Sequence, residues 1–549
     1  MTQNEHFSDI PVDSRTAPWL ERLLTLFQKQ AQTIQEQAQI ILQQGQTIQE
    51  QAEKITSLKE TVQKLRDEVN RLKKMPKRPK FRPSGHPSDP KSPDAQGGST
   101  PVLRTMRQRE KEEVFVKAVD VPSDARFKGY QSYTVQELTI TPKDVTYRLE
   151  VWQAPDGTVI RATLPPSIVG AHFGPSVLAM VHNLYANGMT QPAIFDFMLG
   201  VGIDVSEGQI HNMLVGEAKQ YQQQSEAILS AGIQEAPYIR TDDTGAKHQH
   251  KSAYCTHIGG KYFAYYKTTP SKSRINFLRI LLQGKEGYII NEAFIWHLFQ
   301  SGVEDDVLNE FEAHIGKRYQ GKKGMNRLLN EMRLGDKKLR LCCIEAGLVG
   351  FIQETILKPG QILLSDRAGQ FLIFDHAECW IHMERPLRKL EAKTAKAEAE
   401  IQSVREAIWT LYDRVKEASA SQEGREEIHK LYDELLAIQV TSPGVQAVID
   451  NFRTYREGLL KALDHPGLPL HNNDSERDIR SMVKFRNISG STKSADGQTF
   501  RDALMTLKQT CFRLGLSFWE YLEGWFQGAE VDLAQCVRER YRMPSTAPP

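Results

Sequence analysis

Three acidic residues have types and settings suited to chemistry on phosphodiesters: Asp242 in YIRTDDTGAKH, Asp366 in ILLSDRAGQF and Glu476 in HNNDSERDIRSMVKFRNISG. Asp242 and Asp366 stand at the C-terminal ends of the short apolar runs 237–240 and 361–365, which read as buried strands. Glu476 opens an amphipathic helical stretch rich in Arg and Lys. Together they offer hard oxygen ligands, the kind Mg2+ takes, with Mn2+ expected to substitute. Two such ions about 3.5–4 Å apart stabilise both the attacking and the leaving oxygen of an in-line phosphoryl displacement. The competing reading is that each carboxylate only caps a turn or pairs with a nearby Arg. Asp243 and Asp474 are the nearest alternatives at the first and third positions. Beyond Glu476, the residues Arg477, Arg480, Lys484 and Arg486 follow at close to helical spacing and are expected to face one way, with Lys493 in GSTKSADG further on. Such a row suits phosphates beside a reacting bond; a solvated basic face is its rival.

The residues around the acids narrow the choice. Asp242-Asp243-Thr244 follows a strand, Cys379-Trp380-Ile381-His382 with Arg385 follows the second acid, and Asn472-Asn473-Asp474-Ser475-Glu476-Arg477-Asp478-Ile479-Arg480 leads into Arg486-Asn487. In this order the set resembles the IS66-type DDE transposases, over residues from about 165 to 525. The resemblance implies an RNase H-like core that cuts and joins DNA at the ends of a mobile element. Asp242, Asp366 and Glu476 are then the metal-binding catalytic acids. It also implies hydrolysis followed by transesterification with no covalent protein intermediate, a helical insertion between the second and third acids, and accessory proteins encoded by the element. Two other functions fit part of the pattern: an RNase H-like nuclease that cuts without joining, and a non-catalytic DNA-binding scaffold. Cys379 and His382 lie one helical turn apart, but no second pair is spaced to complete a tetrahedral metal site, so packing beside the acids is expected.

The elements that must position these residues make a multidomain α+β chain of 549 residues. A seam of apolar residues in steps of four and three runs from Leu20 to Leu72, with QTIQEQA repeated at 32 and 46, and reads as a coiled coil over 18–75 through which copies self-associate. Residues 76–110 form a basic, then Pro/Ser/Gly-rich linker. Residues 111–165 read as a small β module of four short strands, its last hairpin turning at Pro155-Asp156-Gly157; it has no cysteine and so no thiolate zinc site. Residues 166–232 read as a helix-turn-helix-like DNA-binding region, with a cap at Ser206 and Gln209. The core's first part spans 233–383, with a hairpin turn at Gly259-Gly260 and a capped helix over 271–282. Its extra segment 284–360 is either an insertion that tracks flanking DNA or surface decoration. A helical insertion (384–465), the last core part (466–525) and a C-terminal tail (526–549) complete the chain.

Net charge is only +2, so DNA contact must come from local clusters. The six cysteines show no CxxC pair, no apolar run approaches a membrane span, and the first residues lack a signal pattern. The expectation is a protein of the bacterial cytosol, on DNA, with no membrane partner.

Overall fold

A five-stranded mixed sheet organises the larger part of the chain. The computed structural model describes residues 112–119, 121–392, 394–421, 424–529 and 531–543, together with 32 and 39. The chain divides into two compact units, 1–95 and 96–549. Apart from residues 32 and 39, the coiled coil expected over 18–75 and the linker expected over 76–110 lie outside the described residues.

In the second unit, the described residues of 112–150 carry no strand. Among the described residues of the expected β module, the strands formed are β1 (Val151–Gln153) and β2 (Val159–Arg161). Local turn chemistry explains this difference. Asp156 Oδ1 accepts from Thr158 N at 2.9 Å and Gly157 takes φ +88°, closing that hairpin. Upstream, Ala125 N donates to Pro122 O at 3.1 Å, but that turn brings no two runs into pairing, and Tyr133 and Leu138 are left 90% and 84% exposed.

Helices α1 (Pro175–Ala186), α2 (Gln191–Gly200), α3 (Glu207–Gly216) and α4 (Ala218–Glu235) follow. Ser206 and Gln209 form the reciprocal cap at the start of α3. His182 is buried among these helices, with Nε2 3.0 Å from Met213 O and Nδ1 3.0 Å from Tyr221 Oη. Next come β3 (Tyr238–His248), β4 (Lys251–Gly259) and β5 (Ala264–Thr269), antiparallel neighbours in that order. The two-residue turn is at Gln249-His250, both at positive φ (49° and 63°). Gly259-Gly260 instead enters a longer loop closed by Gly260 N donating to Phe263 O at 3.0 Å. Gly260 answers to packing, since a Cβ there would lie 2.3 Å from Tyr541 Oη and 2.6 Å from the Phe263 ring.

Helix α5 (Arg274–Leu282) is capped by Ser273. The segment after it holds α6 (Glu292–Gln300), α7 (Asp305–Glu312), α8 (Gly321–Glu331), α9 (Lys337–Thr355) and the short pair β6 (Tyr288–Ile289) and β7 (Arg318–Tyr319). It is not surface decoration: Phe294, Phe311, Leu329 and Cys343 are fully buried in the main core. The chain then adds β8 (Ile362–Ser365) and β9 (Asp375–Glu378), parallel to each other and to β3, giving the order β5-β4-β3-β8-β9. All four residues of β8 are buried, as expected of a strand covered on both faces.

Helices α10 (Trp380–Lys389), α11 (Ala395–Ser421), α12 (Arg425–Ala437), α13 (Pro443–Thr454) and α14 (Arg456–Leu460) enclose a second apolar core. Alternation along the strands assigns the two cores to opposite faces of the sheet: Ile239 and Leu363 join the first, Ile362 and Leu364 the second. Helix α15 (Asn473–Ser489) crosses the second face over β3 and β4, contributing Met482 and Phe485 to a third cluster with Cys255 and Tyr266.

Helix α16 (Ala495–Leu514) runs beside β5, one of the two edge strands of the sheet. Its Thr510, Thr506 and Asp502 side chains accept from the backbone N–H of Ala264, Tyr266 and Thr268 at 3.3, 3.0 and 2.6 Å. Four helical residues rise about 6 Å and two strand residues about 6.7 Å, so acceptors at every fourth helix position meet donors at every second strand position. Helices α17 (Phe518–Gln527) and α18 (Leu533–Arg542) close the unit. The end of the chain is therefore not a tail throughout. Asp532 caps α18, whose Leu533, Ala534 and Val537 are buried against α4. Among the described residues no helix is long and apolar enough to cross a membrane.

Candidate functional site

The parallel pairing of β3 with β8 sets Tyr238, Ile239 and Arg240 beside Ile362, Leu363 and Leu364. Continued by two residues, that register puts Asp242 beside Asp366, where β8 has just ended. Residues 240, 242 and 244 share the face of β3 that α15 crosses. Three contacts fasten the helix there. Arg240, itself 2% exposed, pairs with Asp474; Asn472 Nδ2 donates to Thr241 O at 2.8 Å; Arg486 Nη1 donates to Gly245 O at 2.6 Å. The first turn of α15 thereby brings Glu476 within electrostatic reach of Asp242. Burial pushes the Asp242 carboxyl up to about 7, and the charges of Asp366, Asp243 and Glu476 push the same way, against the N–H of Asp243 donating at 2.8 Å.

The alternatives are committed elsewhere. Asp243 points to the opposite face, where Lys272 Nζ lies 2.5 Å away and Gln370 Nε2 also donates. Asp474 is held low by Arg240 in spite of its burial. The Asp366 carboxylate accepts only the Ala368 N–H, at 3.1 Å, among the hydrogen bonds of the described residues. Glu476 Oε1 meets two cationic side chains of α10, Arg385 Nη2 at 3.0 Å and His382 Nε2 at 3.4 Å.

The donor set suits a hard divalent cation: three carboxylates, mutually repelling, with no thiolate among them. Cys379 takes no part, since burial pushes its thiol up and its Sγ accepts the Asn472 N–H at 3.2 Å. As the side chains stand, no three His, Cys, Asp or Glu groups among the described residues close round an ion. The fit is thus one of chemistry and of strand position, with Glu476 turned towards Arg385 and His382.

Arg477, Arg480, Lys484 and Lys493 are exposed. Arg486 is not on their face. At about 100° per residue, Arg480 and Lys484 fall within roughly 60° of Arg477 around the helix, while Arg486 falls on the opposite side. It is half-buried and bonded to the backbone of β3, where Gly245 leaves room for it.

Linear sequence did not reveal the buried series beside Asp366. His376 Nε2 lies 2.8 Å from Ser365 Oγ, Glu378 Oε1 lies 3.2 Å from His376 Nδ1, and Ser365 Oγ donates to Asp366 O at 2.6 Å. The alternation of His376 and Glu378 on one short strand was its only signal. Nor did the sequence show that His382 and Arg385 reach Glu476 from some ninety residues away.

A family model described as the transposase IS66 family matches residues 370–499, a stretch that begins just past Asp366 and takes in Arg385, Glu476 and the basic residues after it. A protein of Sinorhizobium fredii (strain NBRC 101917 / NGR234), described as uncharacterized protein y4jO, is 33% identical over 299 residues, which are 54% of this chain and 93% of the relative. With that coverage and the family match over the third acid, the chain belongs to the IS66 family of transposases.

Proposed function

We propose that this protein is a DNA transposase that cuts and joins DNA at the ends of an insertion sequence by two-metal phosphoryl transfer. The observation that carries the reading is the electrostatic coupling of Asp242, within β3, to Asp366, just past the end of the parallel strand β8, and to Glu476 on a helix bearing exposed Arg and Lys. The sheet order β5-β4-β3-β8-β9, three antiparallel strands continued by two parallel ones, supports an RNase H-like core.

Asp242, Asp366 and Glu476 hold the cations. Mg2+, with Mn2+ as substitute, supplies neutralisation of the phosphate and activation of the attacking oxygen. The chain's own contribution is placement. The β3–β8 register fixes the two aspartates, and the Arg240–Asp474 and Arg486–Gly245 contacts fix the helix that carries Glu476. Arg477, Arg480, Lys484 and Lys493 contact the DNA backbone, giving salt-sensitive affinity. Helices α1–α3, read as helix-turn-helix-like, have a lesser part in DNA contact because α3 carries no Lys or Arg. The partners are the element's ends and target DNA, further copies joined through the coiled coil of 18–75, and accessory proteins of the element, all in the bacterial cytosol.

The test is to place the gene with its native flanks on a plasmid and sequence any excised or rejoined junctions. Wild type should give defined junctions, and neither Asp366→Asn nor Glu476→Gln should give any. Breaks without joined products would favour a nuclease. No product from any version, even with neighbouring genes supplied, would leave a DNA-binding scaffold.

A further inference from the structure

We infer that Arg385 and His382 occupy the cation's place at Glu476, and that Arg385 passes from Glu476 to a DNA phosphate when the cation binds. The inference rests on the reading of Asp242, Asp366 and Glu476 as metal-binding acids.

The two residues lie three apart on α10 and share a face of it. Both reach the same atom, Oε1 of Glu476, at 3.0 and 3.4 Å. The carboxylates of Asp242 and Asp366 receive only backbone N–H groups among the hydrogen bonds of the described residues. Of the three acids, then, the one a cation must recruit from a separate helix is the one already held by positive or proton-bearing side chains. The contact is also replaceable. Arg385 is 41% exposed and Glu476 28%, and ion pairs so open to water are weak. His382 is incompletely satisfied: its Nε2 faces Glu476, while its Nδ1 is buried without a protein partner.

A divalent ion between Asp242 and Asp366 attracts Glu476 more strongly than one partly solvated guanidinium does. Once released, Arg385 stands beside the acids with its fork of N–H donors free, a geometry that matches two oxygens of one phosphate. Arg367 provides a comparison within the same site. It lies next to Asp366 in sequence and its charge is felt at His382, yet it bonds Asn451 Oδ1 at 2.7 Å and packs on the Tyr455 ring. Among the described residues it forms neither a hydrogen bond nor an ion pair with Glu476.

The experiment titrates the full-length, DNA-free protein with Mn2+, following the free ion by electron paramagnetic resonance, and runs the plasmid excision assay on the same variants. Arg385→Gln should bind Mn2+ about 3–10-fold tighter, melt within a degree or two of wild type, and excise at least about 100-fold less. Arg385→Lys, which keeps the charge and loses the fork, should bind Mn2+ as wild type does and still excise poorly. Arg367→Gln should change Mn2+ affinity less than about twofold, separating the contact from the general field. Unchanged or weaker Mn2+ binding by Arg385→Gln would overturn the exchange, as would an equal gain in Arg367→Gln. Wild-type excision by Arg385→Gln would overturn the handover to phosphate. Asp366→Asn checks the foundation separately: if it binds Mn2+ as wild type does, the acids are not the metal site and the exchange falls with them.

Discussion

Asp242 retains a proton in the folded, cation-free protein to about pH 7, chiefly because it is buried and secondly because Asp366, Asp243 and Glu476 surround it. The unfolded chain releases that proton near 3.8, so between those values the folded state binds more protons and loses stability as pH rises. Asp242→Asn should therefore raise the melting temperature at pH 8, by about 2–4 °C, and change it little at pH 4. Calorimetry in chelator at both pH values checks this; an equal gain at both would count against the crowded carboxylates. Asp366→Asn should abolish junction formation while DNA affinity, read by fluorescence anisotropy, stays within about twofold, because phosphate contacts elsewhere carry binding. Asp366 was legible in the sequence because a continuous apolar run ending in Asp describes a buried strand and its exit; Asp242 instead lies within β3, which runs on to His248 because β4 pairs with it that far. The partners of Asp243 and Asp474 were not legible. Lys272 and Arg240 are ordinary cations in the sequence, and only the pairing of strands shows which acids they neutralise.

Elements were readable where their signals are local. The caps at Ser206 and Ser273 and the Pro155-Asp156-Gly157 turn are complete within a few residues, and each forms. The signal failed where a partner had to be supplied from afar. The alternating runs of 112–150 suggest strands, but no neighbour pairs with them among the described residues. Arg486 sits at a basic spacing yet faces inward, because the helix turns about 100° per residue whatever the charges suggest. His182 links three elements as a neutral ring, with burial holding it down to about 4. Below about pH 6.5 the unfolded chain gains a proton that the folded one refuses, so stability should fall as pH drops towards 4, by on the order of 2–3 kcal/mol. Denaturant midpoints at pH 7 and 4.5 test this; His182→Phe should be weaker at pH 7 but less sensitive to acid. On α16, Thr506→Val keeps the shape and removes the acceptor for Tyr266 N, so a cost of about 1–3 kcal/mol is expected, against a smaller one for Thr506→Ser.

At the scale of the molecule, residues 96–549 form a unit with its own cores. A chain shortened by its first 95 residues should melt at nearly the wild-type temperature while losing self-association, which calorimetry and analytical ultracentrifugation would show; a large drop in melting temperature would deny the unit its independence. The helical insertion was legible as a long charged stretch, whereas its core beneath Trp380 and its seat on the sheet depend on packing that no single segment encodes. The helix along β5 carries a consequence for crowded cells. An uncovered outer strand is a template on which any extended peptide can polymerise, and the described residues of 112–150 in this protein are held in no sheet of their own. With Asp502, Thr506 and Thr510 occupying the donors of β5, neither a neighbour's loose segment nor a nascent chain finds a vacant row on that side.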